Sequence, residues 1–189
     1  EKGTIKVEVI NCEATKCLRG FRVQDCHNVI IQDNYSHHNL ESGIYLADSS
    51  YEGTAGCLNC FVTGNKVESN VNNGILLIGT KKGQVLNNTV FSNWNSGIQL
   101  WYCTEIDITS NVINRNNHKS YNGIGNDGDA YGAIAAAGMN PSATNYYAII
   151  NGNNISNNLE GRESTKYAFY INTNIVGTGS TVYVNNNEV

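Results

Sequence analysis

Apolar residues along this chain fall in short alternating runs rather than in long blocks. Val29 and Ile31 lead up to Asn34, Val62 to Asn65, Val85 to Asn88, Ile106 and Ile108 to Asn111, and Ala148 and Ile150 to Asn153. A second set follows a glycine: Ile44 and Leu46 after Gly43, Ile75 and Leu77 after Gly74, Ile98 and Leu100 after Gly97. Apolar residues two apart, in runs this short and bounded by turn-forming Asn, Gly and Ser, predict strands. No window holds a 3.6-residue apolar period long enough for a helix.

The runs belong to a repeat. The stretches NYSHHNLESGIYL (34–46), NKVESNVNNGILL (65–77) and NTVFSNWNSGIQL (88–100) share the skeleton N-x-[V/S]-x-x-N-x-x-x-G-I-x-L. Half of it returns at Asn111, Ile113 and Asn116, again at Asn153, Ile155 and Asn158, and its start at Asn187 and Val189. Asn65 to Asn88 and Asn88 to Asn111 are each 23 residues, which sets the basic period; the 31- and 42-residue intervals carry insertions. A unit this small cannot bury its apolar face alone and must stack on its neighbours. Stacking puts equivalent residues ~4.8 Å apart, so the Asn side chains, each both donor and acceptor, are expected to form a ladder rather than bind a ligand.

The same alignment sorts the cysteines. Cys26, Cys57 and Cys103 each stand eight residues before a repeat-opening Asn and should share one column, with Cys60 equivalent to Val29 and Ile106. Cys57 and Cys60 make a CxxC, but without a second such pair or a βαβ context it reads as core filling rather than a redox or zinc motif. The pairing of Cys12 and Cys17 stays open. The net charge of −4 and the lack of a basic stripe argue against nucleic acid. No apolar run is long enough to span a membrane, and no signal peptide is visible. We expect one domain over 1–189, of about seven coils. The last repeat is a half and neither end shows a capping element, so we expect a fragment of a longer solenoid whose open coils stack on the parent chain or end to end.

The repeats SGIYL, NGILL and SGIQL, joined to N-x-V-x-x-N turns, resemble those of the pectin-lyase-like superfamily. The resemblance implies an all-β fold, a right-handed parallel β-helix. It also implies an extracellular or surface protein whose partner is a polysaccharide. That superfamily holds polysaccharide lyases, glycoside hydrolases, mannuronan C5-epimerases and phage tailspikes. Its ligand groove usually runs along one outward sheet face. Placed on the G-I-x-L strands, that face reads Arg22, Tyr45, Leu76, Gln99, Ala135 and Tyr170, with Asp48 and Trp101 just beyond. Tyr45, Trp101 and Tyr170 suit stacking on sugar rings and Gln99 suits bonding their hydroxyls.

The densest chemistry lies in two insertions, 117–132 and 159–167, which stacking should bring to one rim; a third, 49–56, belongs on the opposite rim. The first two offer His118, Lys119, Asp127, Asp129, Arg162, Glu163 and Lys166. For a lyase, Arg162, Lys166 and His118 supply carboxylate neutralisation and a base, with Asp127 and Asp129 as oxygen ligands for calcium. For a hydrolase, Asp127 and Asp129 are the close carboxylate pair. His37 and His38 are a further candidate. The epimerase strand motif Y-G-x-D-P-H-[D/E] is absent, its nearest counterpart being SGIYLADSS with Asp48 alone, and so is the paired-Asp, G-H-G and R-x-K set of polygalacturonases. The expectation is a carbohydrate-active solenoid of lyase, epimerase or hydrolase type; the alternative is a noncatalytic glycan-binding, adhesive or structural segment.

Overall fold

The structure, a computed structural model, describes residues 5–49, 56–116, 133–137, 147–156, 168–171 and 181–189. Among them nineteen strands form three parallel sheets. Sheet A has seven strands, from Val7–Ile10 through His27–Gln32, Leu58–Thr63, Lys81–Leu86, Thr104–Thr109 and Tyr147–Asn151 to Thr181–Asn185. Sheet B takes the three-residue strands that follow each of the first six, from Glu13–Thr15 to Asn154–Ser156. Sheet C is built from Phe21–Gln24, Ile44–Ala47, Ile75–Ile78, Ile98–Trp101, Ile134–Ala137 and Phe169–Ile171. Each coil thus runs A, B, C and pairs with the next coil in all three sheets. No helix of the described residues is long and apolar enough to cross a membrane.

The register is the one the repeats predict. Val62 pairs with Val85 and Val85 with Ile108, while Ile75 pairs with Ile98 and Ile98 with Ile134. Inward residues of all three sheets fill one core that includes Val29, Ile31, Val67, Val90, Ile113, Ile44, Leu46, Leu77 and Leu100. Fully burying each aliphatic side chain contributes about 1.5–3 kcal/mol, so the repeated columns supply most of the stabilisation.

Two asparagine ladders hold the corners. At the A-to-B turn, Asn88 Oδ1 accepts from both the backbone N–H and Nδ2 of Asn65, while Asn88 Nδ2 donates to Val62 O and to Asn111 Oδ1. The column continues through Asn153 to Asn187. At the B-to-C turn, Asn39, Asn70, Asn93 and Asn116 repeat the arrangement. The residue before each ladder Asn is left-handed, as at Asp33 (φ 53°), Asn87 (53°) and Ser110 (57°). Asp and Asn tolerate that conformation better than most, which explains part of the polar composition. Asn34, which opens an N-x-S sequon, is only 2% exposed and committed to the ladder.

The glycine of G-I-x-L is required by contact, not by φ. A Cβ on Gly74 would lie 2.4 Å from Val90 Cγ1 and 2.6 Å from the carbonyl oxygen of Gly97; one on Gly43 would lie 2.5 Å from Val67 Cγ1.

All six cysteines are free. Cys26, Cys57 and Cys103 share a column in which Thr80 takes the fourth coil's place, and Cys60 sits between Val29 and Gly83. Cys57, Cys60 and Cys103 are buried in the core, which supports the packing reading of the CxxC. Burial pushes the Cys103 thiol up to about 12, and the hydrogen bond between Cys57 and Cys60 lowers the former and raises the latter.

Candidate functional site

The outward column of sheet C is the expected one: Arg22 pairs with Tyr45, Tyr45 with Leu76, Leu76 with Gln99, Gln99 with Ala135 and Ala135 with Tyr170. Its environment differs from an open floor. Tyr45 is 4% exposed, Leu76 5% and Gln99 3%, and Asp48 is fully buried. Tyr45, Ala47, Leu76 and Ile78 form a second buried apolar cluster outside the coil, with Trp101 and Tyr102 packed against it. Sheet C is therefore covered on both faces, as its near-continuous apolar runs such as ILLI allow. The Arg19 guanidinium covers Tyr45 at 4.3 Å from the ring centroid, and that of Arg22 lies at 5.8 Å. Arg19 is itself bound to Glu41 at 2.5 Å.

What stays open is a groove of about 320 Å³. Tyr45, Leu76, Ile78, Gln99 and Trp101 form its apolar side, and Arg19, Glu41, Ser42, Asn72, Asn73 and Asn95 its polar edge. Three predicted site residues, Tyr45, Gln99 and Trp101, thus meet in one cavity. Tyr170 takes its register place on the sheet's edge strand. The proposed catalytic and metal residues His118, Asp127, Asp129, Arg162 and Lys166 lie outside the described residues. Among the described residues no three His, Cys, Asp or Glu side chains gather to hold a metal.

Sequence reasoning passed over the polar edge. Apart from Arg19, its residues occupy the two positions before a G-I-x-L glycine: Glu41 and Ser42, Asn72 and Asn73, and Asn95. The repeat alignment held that signal, since these positions form columns beside the groove strands. Asn95 Nδ2 donates to Asn72 Oδ1 at 3.0 Å. The side-chain oxygens of Asn73 and Asn95 are buried without a hydrogen-bond partner, which costs about 1–3 kcal/mol for each such group.

His37 and His38 belong elsewhere, on the outer side of sheet B. His37 Nε2 meets Glu13 Oε1 at 2.8 Å, its Nδ1 meets His38 Nδ1 at 2.7 Å, and its ring stacks on Tyr35 at 4.1 Å. Tyr35 also donates to Glu68, which Lys66 joins at 3.1 Å. Burial raises Glu68, but the Tyr35 hydroxyl and the Lys66 ammonium outweigh it and hold the carboxyl below its usual value. These groups satisfy one another and stitch neighbouring coils. A broader concavity of about 630 Å³ lies outside sheet A beside Phe61, Lys82 and Glu105.

Comparison with known proteins agrees with this geometry. The family described as "Right handed beta helix region" matches residues 2–83. The periplasmic alginate epimerase AlgG superposes with a TM-score of 0.67 at 16% identity, covering 95% of this chain and 39% of AlgG. The A-module of Azotobacter vinelandii mannuronan C-5 epimerase AlgE4 gives 0.62 at 16% identity, covering 98% of this chain and 54% of the module. That of AlgE6 gives 0.60 at 16%, covering 97% and 55%. The chain therefore spans roughly two-fifths to a little over half of the solved proteins it resembles. No curated protein matches the sequence significantly. The fold is a right-handed parallel β-helix.

Proposed function

We propose that this β-helix binds an exported acidic polysaccharide along the sheet C groove and acts on it by proton transfer at a sugar ring carbon. The observation that carries the reading is the meeting of Tyr45, Gln99 and Trp101 in one cavity beside a row of side-chain amides. The half-buried Trp101 offers an aromatic face to a sugar ring, the Tyr45 ring being covered by Arg19, and amides bond hydroxyls. The similar folds of two kinds of alginate or mannuronan epimerase support a uronate polymer and a periplasmic or extracellular setting. Arg22 is exposed beside Tyr45 and has no ion pair among the described residues, which suits a substrate carboxylate. In this reading His118 or Lys166 takes the proton next to the carboxylate, Arg162 neutralises that carboxylate, and Asp127 and Asp129 hold calcium.

The test is incubation with polymannuronate, polyguluronate, polygalacturonate and dextran in deuterated water. Deuterium at C5, or unsaturated ends absorbing in the ultraviolet, is the expected result. New reducing ends without either would mean hydrolysis. Binding without turnover favours the second reading, a noncatalytic glycan-binding or adhesive segment. One observation supports that alternative: among the described groove residues the single carboxylate, Glu41, is engaged by Arg19.

A further inference from the structure

The ladder asparagines and the groove asparagines are satisfied to different degrees. Asn70 and Asn93 each accept and donate within the stack. Asn73, only 2% exposed, keeps a buried side-chain oxygen with no partner, and so does Asn95. Both line the same groove. A folded chain retains unpaired buried acceptors where something else completes them. Their oxygens are closed to bulk solvent in the groove as it stands. The terminal torsion of an Asn side chain is soft, so a small rotation turns either oxygen towards a bound molecule.

We infer that Asn73 and Asn95 are the residues that orient the ligand, by accepting hydrogen bonds from free hydroxyls on one edge of a sugar chain. This rests on the reading of sheet C as a glycan groove and adds an orientation to it. Amide oxygens need donors, and an ionised carboxylate has none. The uronate carboxylates are therefore kept away from the B-to-C turns, and the hydroxyl-bearing edge faces them. Asn73 and Asn95 stand on neighbouring coils, which are ~4.8 Å apart, offset by one residue because Asn95 is in register with Asn72, so they address one ring or two consecutive rings on a diagonal. The Asn72–Asn95 hydrogen bond holds the second amide in place.

The role separates from a scaffold role because the two predict opposite effects on stability. Asn73→Ala and the apolar near-isostere Asn73→Leu are compared with wild type and with the ladder variant Asn70→Ala. Binding of soluble polymannuronate, polygalacturonate and dextran and the thermal midpoint are measured for each. The expected result is affinity about fivefold weaker for both Asn73 variants, the loss of one net hydrogen bond, with an unchanged or higher midpoint. Asn70→Ala should lower the midpoint. A fall in midpoint for both Asn73 variants as large as that of Asn70→Ala would make Asn73 scaffold and overturn the inference. Wild-type affinity in the Asn73 variants would overturn it while leaving the groove intact. Failure of the wild-type protein to bind any of the three polymers would remove the glycan reading itself.

Discussion

Asparagine does two different things in this molecule, and the contrast divides scaffold from site. At the A-to-B turn, Asn88 uses its oxygen twice and its amino group twice, so that removing it orphans partners on two neighbouring coils. On the preceding coil, Asn73 is as deeply buried yet leaves its oxygen unpaired. Equal burial with unequal satisfaction shows that depth alone does not mark a structural residue; the marker is whether the chain itself completes its hydrogen bonds.

The largest effect should come from the ladder. Asn88→Ala is expected to cost about 4 kcal/mol, because several buried groups lose partners worth about 1–3 kcal/mol each; chemical denaturation measures it, and a loss below about 1 kcal/mol would erase the distinction between the two kinds of amide. Gly74→Ala tests the other scaffold feature, the contact between coils. Its new methyl would press on Val90 Cγ1 and on the Gly97 carbonyl, for about 2 kcal/mol of overpacking strain, read in the same experiment.

A smaller effect belongs to the surface network. Glu68 has a lowered folded-state pKa, so its contribution is present above the ordinary value of a glutamate carboxyl and is lost as pH falls through the lower folded value. Glu68→Gln should therefore flatten the acid limb of a stability–pH profile and leave it unchanged in slope near neutrality; an unaltered acid limb would show that the Tyr35–Glu68–Lys66 contacts carry no stability. The smallest loss is assigned to the groove: Asn73→Ala should leave the thermal midpoint unchanged or raise it, because it removes a buried acceptor that the chain leaves unpaired.

Much of the fold was legible because a stacked repeat writes the same constraint several times. Asn65, Asn88 and Asn111 identify a ladder only through their common spacing, and Val62, Val85 and Ile108 fall into register with them. The column of sheet C residues from Arg22 to Tyr170 was legible for the same reason. Its burial was not, because alternation tells which side of a strand a residue faces and not whether that side meets water. Tyr45 and Leu76 face outward and are nevertheless buried, as members of a second cluster. The polar edge escaped notice because Asn72, Asn73 and Asn95 look like ordinary turn residues, and only an unpaired oxygen separates Asn73 from its ladder neighbour Asn70.

The ladder also has a sense. From Asn34 to Asn153 every ladder side-chain amino group gives to the side-chain oxygen of the following coil's Asn, and no side-chain-to-side-chain bond of the column runs the other way. Such a column resembles a row of arrows: it can be lengthened only by a coil entering tail to head, never by one turned around. Two of these solenoids meeting at their ends through the ladder could not form a two-fold dimer, since a two-fold axis would set oxygen against oxygen or amino group against amino group. Any joining through that column would have to be directional, head to tail rather than as a closed pair.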